Sequence, residues 1–169
     1  MKPAYPKYPI SKEPTKRTII VRCPDVRFSI AFGAFIGQEL HLNGGQYYSL
    51  KKAGGAVALA RPDNLSSEFE SLRTDIDMFI KEAGVNTVII INHQNCKKYD
   101  AVLKRKNPEN EHEERDDLPK AVDLLHTLFS DDNITICAYY AMFTDETQTE
   151  ITFETIHEDT PLRKAPEPQ

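Results

Sequence analysis

At 169 residues, 40% hydrophobic and 28% charged, the chain is the size of one domain with a core of its own. Its formal net charge of −5, with no long basic run, argues against nucleic acid as a partner. No apolar stretch is long enough to span a bilayer and the first residues do not read as a signal peptide, so a cytoplasmic protein with no membrane partner is expected.

Residues 1–17 carry four prolines and no apolar segment, and read as a Pro-rich arm. Residues 158–169 read as a flexible, charged C-terminal tail, which leaves 18–157 as a single α/β domain. Residues 18–21 form a short β-branched run, a buried strand. After Arg27, Phe28, Phe32, Phe35 and Ile36 share a helical face that Gly33 and Gly37 weaken. Asn43-Gly44-Gly45 marks a turn, residues 46–50 a strand, and Lys51-Lys52-Ala53-Gly54-Gly55 a polar, glycine-rich strand exit.

The strongest helix follows, with Phe69, Leu72, Ile76, Phe79, Ile80 and Ala83 at three-four spacing. Ser67 with Glu70 predicts a capping box at its start, and Gly84 its C-terminal stop. Residues 85–91 are apolar without alternation, as expected of a parallel strand buried on both faces. Tyr99, Val102 and Leu103 predict a short helix, and the lysines and arginine at 97–98 and 104–106 a solvated face. Residues 107–117 read as a polar surface loop. Asp117 then caps a helix with Pro119 near its first turn and Leu118, Val122, Leu125 and Phe129 inside. Residues 134–143 are a long strand holding Cys137 in the core, and 149–156 a final edge strand reached through a turn at Asp145-Glu146. The order predicts an α/β fold: a mainly parallel central sheet flanked by helices, with an antiparallel edge strand.

Neither a phosphate-cradling glycine loop nor a nucleophile elbow is present. Chemistry concentrates instead where strands end, the place ligands bind in open α/β sheets. One apolar run ends in His93-Gln94-Asn95-Cys96, another in Cys23-Pro24-Asp25-Val26-Arg27. His93 and Cys96, in a tight turn entering a helix, can face one centre that Cys23 approaches from a neighbouring strand. Two cysteines and a histidine with one position open make a catalytic type of zinc site, since structural sites fill all four places. Asp25 and Arg27, two apart on an extended segment, can pair so that one carboxylate oxygen still accepts a proton. His41, His112, His126 and His157 lack partners in sequence and read as surface or helix residues. The odd number of widely spaced cysteines does not suggest a disulfide framework, and the glycosylation-type triplets at Asn64 and Asn133 carry no weight in a cytoplasmic chain.

Cys23-x-Asp25-x-Arg27, followed some seventy residues later by His93-x-x-Cys96, resembles the β-class carbonic anhydrases. The resemblance spans roughly residues 18–143 and has the Ala53-Gly54 exit and the amphipathic helix in the same order. It implies zinc held by Cys23, His93 and Cys96, with water or Asp25 in the fourth position. It implies catalytic roles for Asp25 and Arg27, and reversible hydration of carbon dioxide to bicarbonate. It also implies a homodimer or higher homo-oligomer. The second motif reads Asn95-Cys96-Lys97 where the family usually has Asp and Cys-Gly, Val26 replaces a serine, and Lys51-Lys52-Ala53-Gly54 replaces Arg-Asn-Ala-Gly. These departures leave two alternatives: hydrolysis of carbonyl sulfide or carbon disulfide, or an inactive zinc-binding sensor or assembly domain.

Overall fold

The computed structural model describes residues 9–10, 17–106 and 112–159. Most of the expected N-terminal arm, five residues of the expected loop and the last ten residues lie outside that description. Among the described residues, one five-stranded sheet runs in the order β2-β1-β3-β4-β5. Its strands are β1 (Thr18–Arg22), β2 (Tyr47–Lys51), β3 (Thr87–His93), β4 (Thr135–Phe143) and β5 (Ile151–Glu158). The first four are parallel and β5 is antiparallel to β4, as the alternation of strand and helix patterns predicts.

The central strands carry unbroken apolar runs, residues 19–21 of β1 and 88–91 of β3, because both of their faces are covered. Ile19, Val21, Val88 and Ile90 point to one side, where they meet α2 (Val57–Ala60), α3 (Ser66–Ala83) and α5 (Glu113–Leu128). Ile20, Ile89 and Ile91 point to the other, against Phe28, Phe32 and Ile36 of α1 (Ser29–Gln38) and the 3₁₀ turn that precedes it. Cys137 lies fully buried in this second core, and burial pushes its thiol up to about 12, so it behaves as a small hydrophobe. No helix among the described residues is long and apolar enough to cross a membrane.

Several element boundaries differ from the sequence reading, each for a local reason. The strand expected at residues 85–91 begins at Thr87 and continues through Asn92 and His93, so His93 is its last residue. The capping box does not form, because α3 starts two residues earlier than a Ser67 cap would place it: Leu65 is the N-cap, Ser67 is already helical, and Glu70 instead accepts from Arg73. Gly84 closes the helix in the left-handed conformation (φ 65°), as expected.

The largest difference is at α5, which begins at Glu113 rather than Asp117 and so contains Pro119 inside it. Charge pairing explains the extra turn. Glu114 and Asp117 have side chains with no exposure, and they meet Arg105 and Arg61 at 2.6 Å each. Arg105, expected on a solvated face, is itself buried and also binds Asp100 and Glu113. A buried ion is tolerable only when its charge and its hydrogen-bonding groups are matched, and here they are.

Candidate metal centre

The parallel strands β1 and β3 are paired in register from Thr18 with Thr87 to Arg22 with Ile91, so both deliver their C-terminal residues to one rim. Cys23 follows β1, His93 ends β3, and Cys96 is the N-cap of α4 (Lys97–Leu103). The Cys23 and Cys96 sulfurs are 4.0 Å apart. Together with a ring nitrogen of His93 they form a buried group of ligand atoms, all within 4.8 Å of one another. The structure thus brings together all three residues that the sequence singles out as metal ligands.

The histidine is held in one orientation. Its Nδ1 lies 2.8 Å from the Gln94 carbonyl, which can only accept, so Nδ1 carries the hydrogen and Nε2 presents a lone pair. Phe28 packs on the ring with centroids 4.2 Å apart. The side chain has no solvent exposure, and Nε2 is buried without a hydrogen-bond partner. A buried polar atom without a partner costs about 1–3 kcal/mol, so its presence beside two sulfurs calls for a ligand. Two sulfurs sharing a tetrahedral zinc stand roughly 3.8 Å apart, given Zn–S bonds near 2.3 Å. The donors present therefore fit zinc in type, in number and in spacing.

Protons distribute unevenly over the two thiols. Cys23 is held well below the ordinary thiol range, first by its hydrogen bond with Cys96 and further by His93 and by the Gly54 amide. The same bond pushes Cys96 up, together with burial. The pair titrates as a unit that keeps one proton between its sulfurs, and a cation in that place removes the reason to keep it. Amides of Lys98 and Tyr99, in the first turn of α4, favour the Cys96 thiolate. The glycine exit contributes through backbone. Gly54 has φ 80°, and a Cβ there would lie 2.6 Å from Val57 and 2.8 Å from Lys98. A side chain is therefore excluded where the amide serves the Cys23 sulfur.

Asp25 and Arg27 pair as expected, by a different local geometry. Asp25 caps a 3₁₀ turn over Val26–Phe28 instead of lying in an extended segment. Its Oδ1 accepts from the Arg27 amide at 3.0 Å, while its Oδ2 accepts from Arg27 Nη2 at 2.7 Å. The Arg27 hydrogen bonds hold the Asp25 carboxyl below its ordinary range, so it is an anion and acceptor at neutral pH. Arg27 is tied in turn to the Asn95 carbonyl at 3.0 Å, with Asn95 in the left-handed region (φ 56°) that asparagine tolerates. Asp25 Oδ2 stands 3.8 Å from His93 Nε2, at the edge of the ligand group.

A supporting layer was not visible in the sequence. Glu114 Oε1 accepts from the Cys96 amide at 3.0 Å, and Arg105 holds that carboxylate. Asn92, one residue before His93, donates to the Tyr99 hydroxyl and the Glu114 carbonyl and accepts from the Ala56 amide. An asparagine inside an apolar strand signals that partners are required, because buried polar groups are nearly always paired. No comparable local signal marks Glu114, which sits in a run of charges.

No family model matches the sequence, and no curated protein matches it either. Solved structures do. The β-carbonic anhydrase isoform I of Trichomonas vaginalis aligns over 90% of this chain and 88% of its own, with a TM-score of 0.60 and 16% identity. The carbonic anhydrase of Streptococcus mutans covers 88% of this chain and 87% of its own at TM-score 0.54 and 17% identity. That of Glaciozyma antarctica covers 78% and 79% at TM-score 0.50 and 20% identity. The fold of this chain is the one that its spaced cysteines and histidine suggest, that of the β-carbonic anhydrases.

Proposed function

We propose that the chain is a zinc-dependent lyase of the carbonic anhydrase type, which hydrates carbon dioxide reversibly to bicarbonate. The observation that carries this reading is the buried, partnerless Nε2 of His93 facing two sulfurs, with an ionised Asp25 beside it. Cys23, His93 and Cys96 would hold the metal. When bound, zinc supplies the Lewis acidity that makes water a nucleophile near neutral pH.

The chain's own residues orient and enclose. Asp25, fixed by Arg27 and unable to donate, would accept a hydrogen bond from a nucleophile held beside it and so orient it toward the substrate. The same preference disfavours a competing molecule with no hydrogen to give. Phe28 closes one side against water. A groove of about 640 Å³ opens beside Arg27, walled by Phe143 and Ile151 together with the polar Thr144, Thr149 and Glu150.

The departures in the second motif are compatible with activity. The Lys97 side chain is 81% exposed, and Asn95 serves Arg27 through its main-chain carbonyl. Assembly as a homodimer or larger oligomer belongs to the same proposal. Val26 and Ile30, 84% and 89% exposed, extend the apolar character of the 3₁₀ turn and α1 to the outer surface beside the site.

Elemental analysis and stopped-flow carbon dioxide hydration on one sample test the proposal. One zinc per chain with hydration above background is expected. Zinc without hydration sinks the lyase reading, and protein purified without chelator that holds no zinc sinks the site itself.

A further inference from the structure

At the opposite rim of the sheet, a second group of ligand-type side chains converges. His126 lies in the last turn of α5, His157 in β5, and Asp159 just beyond the end of β5. Both imidazoles direct Nε2 at a single oxygen: His157 Nε2 is 2.7 Å and His126 Nε2 3.1 Å from Asp159 Oδ1. All three ligand atoms lie within 4.8 Å of one another. The sequence gives neither histidine a partner, because three separate positions in the chain are needed to build the group.

The carboxylate is fixed from behind. Its other oxygen, Oδ2, accepts from the Ile136 amide at 2.7 Å, and the Asp159 amide donates to the Ile136 carbonyl at 3.1 Å. Asp159 is thereby strapped to the start of β4, with Oδ1 aimed outward, the arrangement that supporting hydrogen bonds give to a metal-ligating carboxylate. His126 sits at the negative end of a 16-residue helix, which favours a cation there. The side chains of His126, His157 and Asp159 are 43%, 35% and 25% exposed, so an ion can enter without the core opening.

We infer that His126, His157 and Asp159 form a second metal site, distinct from the buried cysteine–histidine centre. Imidazole and carboxylate donors suit late first-row divalent ions, zinc, nickel or copper, and not calcium or magnesium, which take all-oxygen sets. Ligand atoms on one such ion, with bonds near 2.0–2.2 Å, stand roughly 3–3.5 Å apart. The two nitrogens already lie close to that distance from the shared oxygen, so an ion enters with small side-chain shifts. It would clip the last strand and α5 together at the rim away from the proposed active centre.

Nickel is the probe, because it binds imidazole well and spares free thiols from the oxidation copper brings. The full chain is dialysed against nickel chloride, desalted, and analysed for nickel and zinc together. Melting temperature is recorded with nickel and with chelator. One nickel per chain is expected, with zinc content unchanged and a raised melting temperature. His126→Ala and His157→Ala should each weaken nickel binding at least tenfold and cancel the rise, yet melt with the parent in chelator. Asp159→Asn, which can still accept from the Ile136 amide, should weaken it about tenfold. Absence of saturable nickel, nickel gained only as zinc is lost, or binding unchanged in His157→Ala overturns the inference. The nickel count and its loss in the histidine variants are read whether or not the cysteine centre holds zinc.

Discussion

The two rims of the sheet each gather three metal-ligand types of side chain, under opposite conditions of burial. At the C-terminal rim of the parallel strands, two thiols and an imidazole are buried, and a further layer of buried side chains and amides supports them. At the N-terminal rim, two imidazoles and a carboxylate are partly exposed, and two backbone hydrogen bonds suffice to hold the carboxylate. Burial accounts for the difference. A dry site favours pairing of the polar groups around it, so Asn92, Glu114 and Arg105 are drawn in, whereas water can complete the exposed group. The buried rim should accordingly be intolerant of single changes and the exposed rim tolerant.

The largest separation between the rims is expected from Cys23→Ser. A serine hydroxyl is a poor zinc ligand at neutral pH, and with one of three protein ligands gone, zinc affinity should fall by more than about a hundredfold. Elemental analysis should find the buried centre empty while nickel binding through His157 is retained. Zinc content equal to the parent would remove Cys23 from the ligand set.

Next in size is the supporting layer. Arg105→Ala leaves Glu114 buried without its cation, and loss of one partner of a buried pair costs about 3–5 kcal/mol. Arg115 is the matched control. It pairs with Glu154 at 2.6 Å, but both side chains are more than a third exposed, so Arg115→Ala should cost no more than about 1 kcal/mol. Urea denaturation of the two variants checks the contrast. Equal losses would mean that burial does not set the difference.

That same contrast explains what could be read from the sequence. The strands were legible because their burial needs only a run of apolar residues, as in Ile19, Ile20 and Val21. The convergence of Cys23, His93 and Cys96 was legible because strand ends and soft donor types coincide there. Glu114 was not, because its partner Arg105 lies in another run of charges, and nothing local distinguishes a buried ion from a solvated one. Asp117 depends on Arg61, 56 positions away, so sequence alone presents it as a helix cap. His126 and Asp159, 33 apart, were hidden for the same reason. Pattern reveals where the chain hides apolar surface; pairing between distant polar residues appears only once the chain is folded.

A smaller effect isolates the chemistry of the buried rim from its stability. Asp25→Asn keeps the shape of the side chain and leaves Cys23, His93 and Cys96 in place, so zinc should stay. The amide accepts less strongly and can also donate, which removes the orienting preference, and carbon dioxide hydration should fall about 10–100-fold. Stopped-flow kinetics on zinc-matched samples measures it. An unchanged rate would show that Asp25 does not orient the nucleophile.

The smallest effect belongs to the turn between β4 and β5, where Asp145 clasps the chain without any burial. Its carboxylate accepts from the hydroxyls of Thr147 and Thr149 and from the amides of Thr149 and Glu150. These bonds, Thr147 first, lower its pKa to about 2. An unfolded aspartate titrates near 3.9. The charged form is thus favoured in the folded turn, and the contribution of Asp145 is fully present above about pH 4. It is lost as pH falls toward 2, where the folded carboxylate takes up its proton. A carbon-detected titration of the Asp145 carboxyl should give that low midpoint, and exchange of the Thr149 amide should quicken over the same interval. In Asp145→Asn the exchange should already be fast at neutral pH and should not respond to that titration. A midpoint near 3.9 in the parent would show that the clasp is not formed in solution.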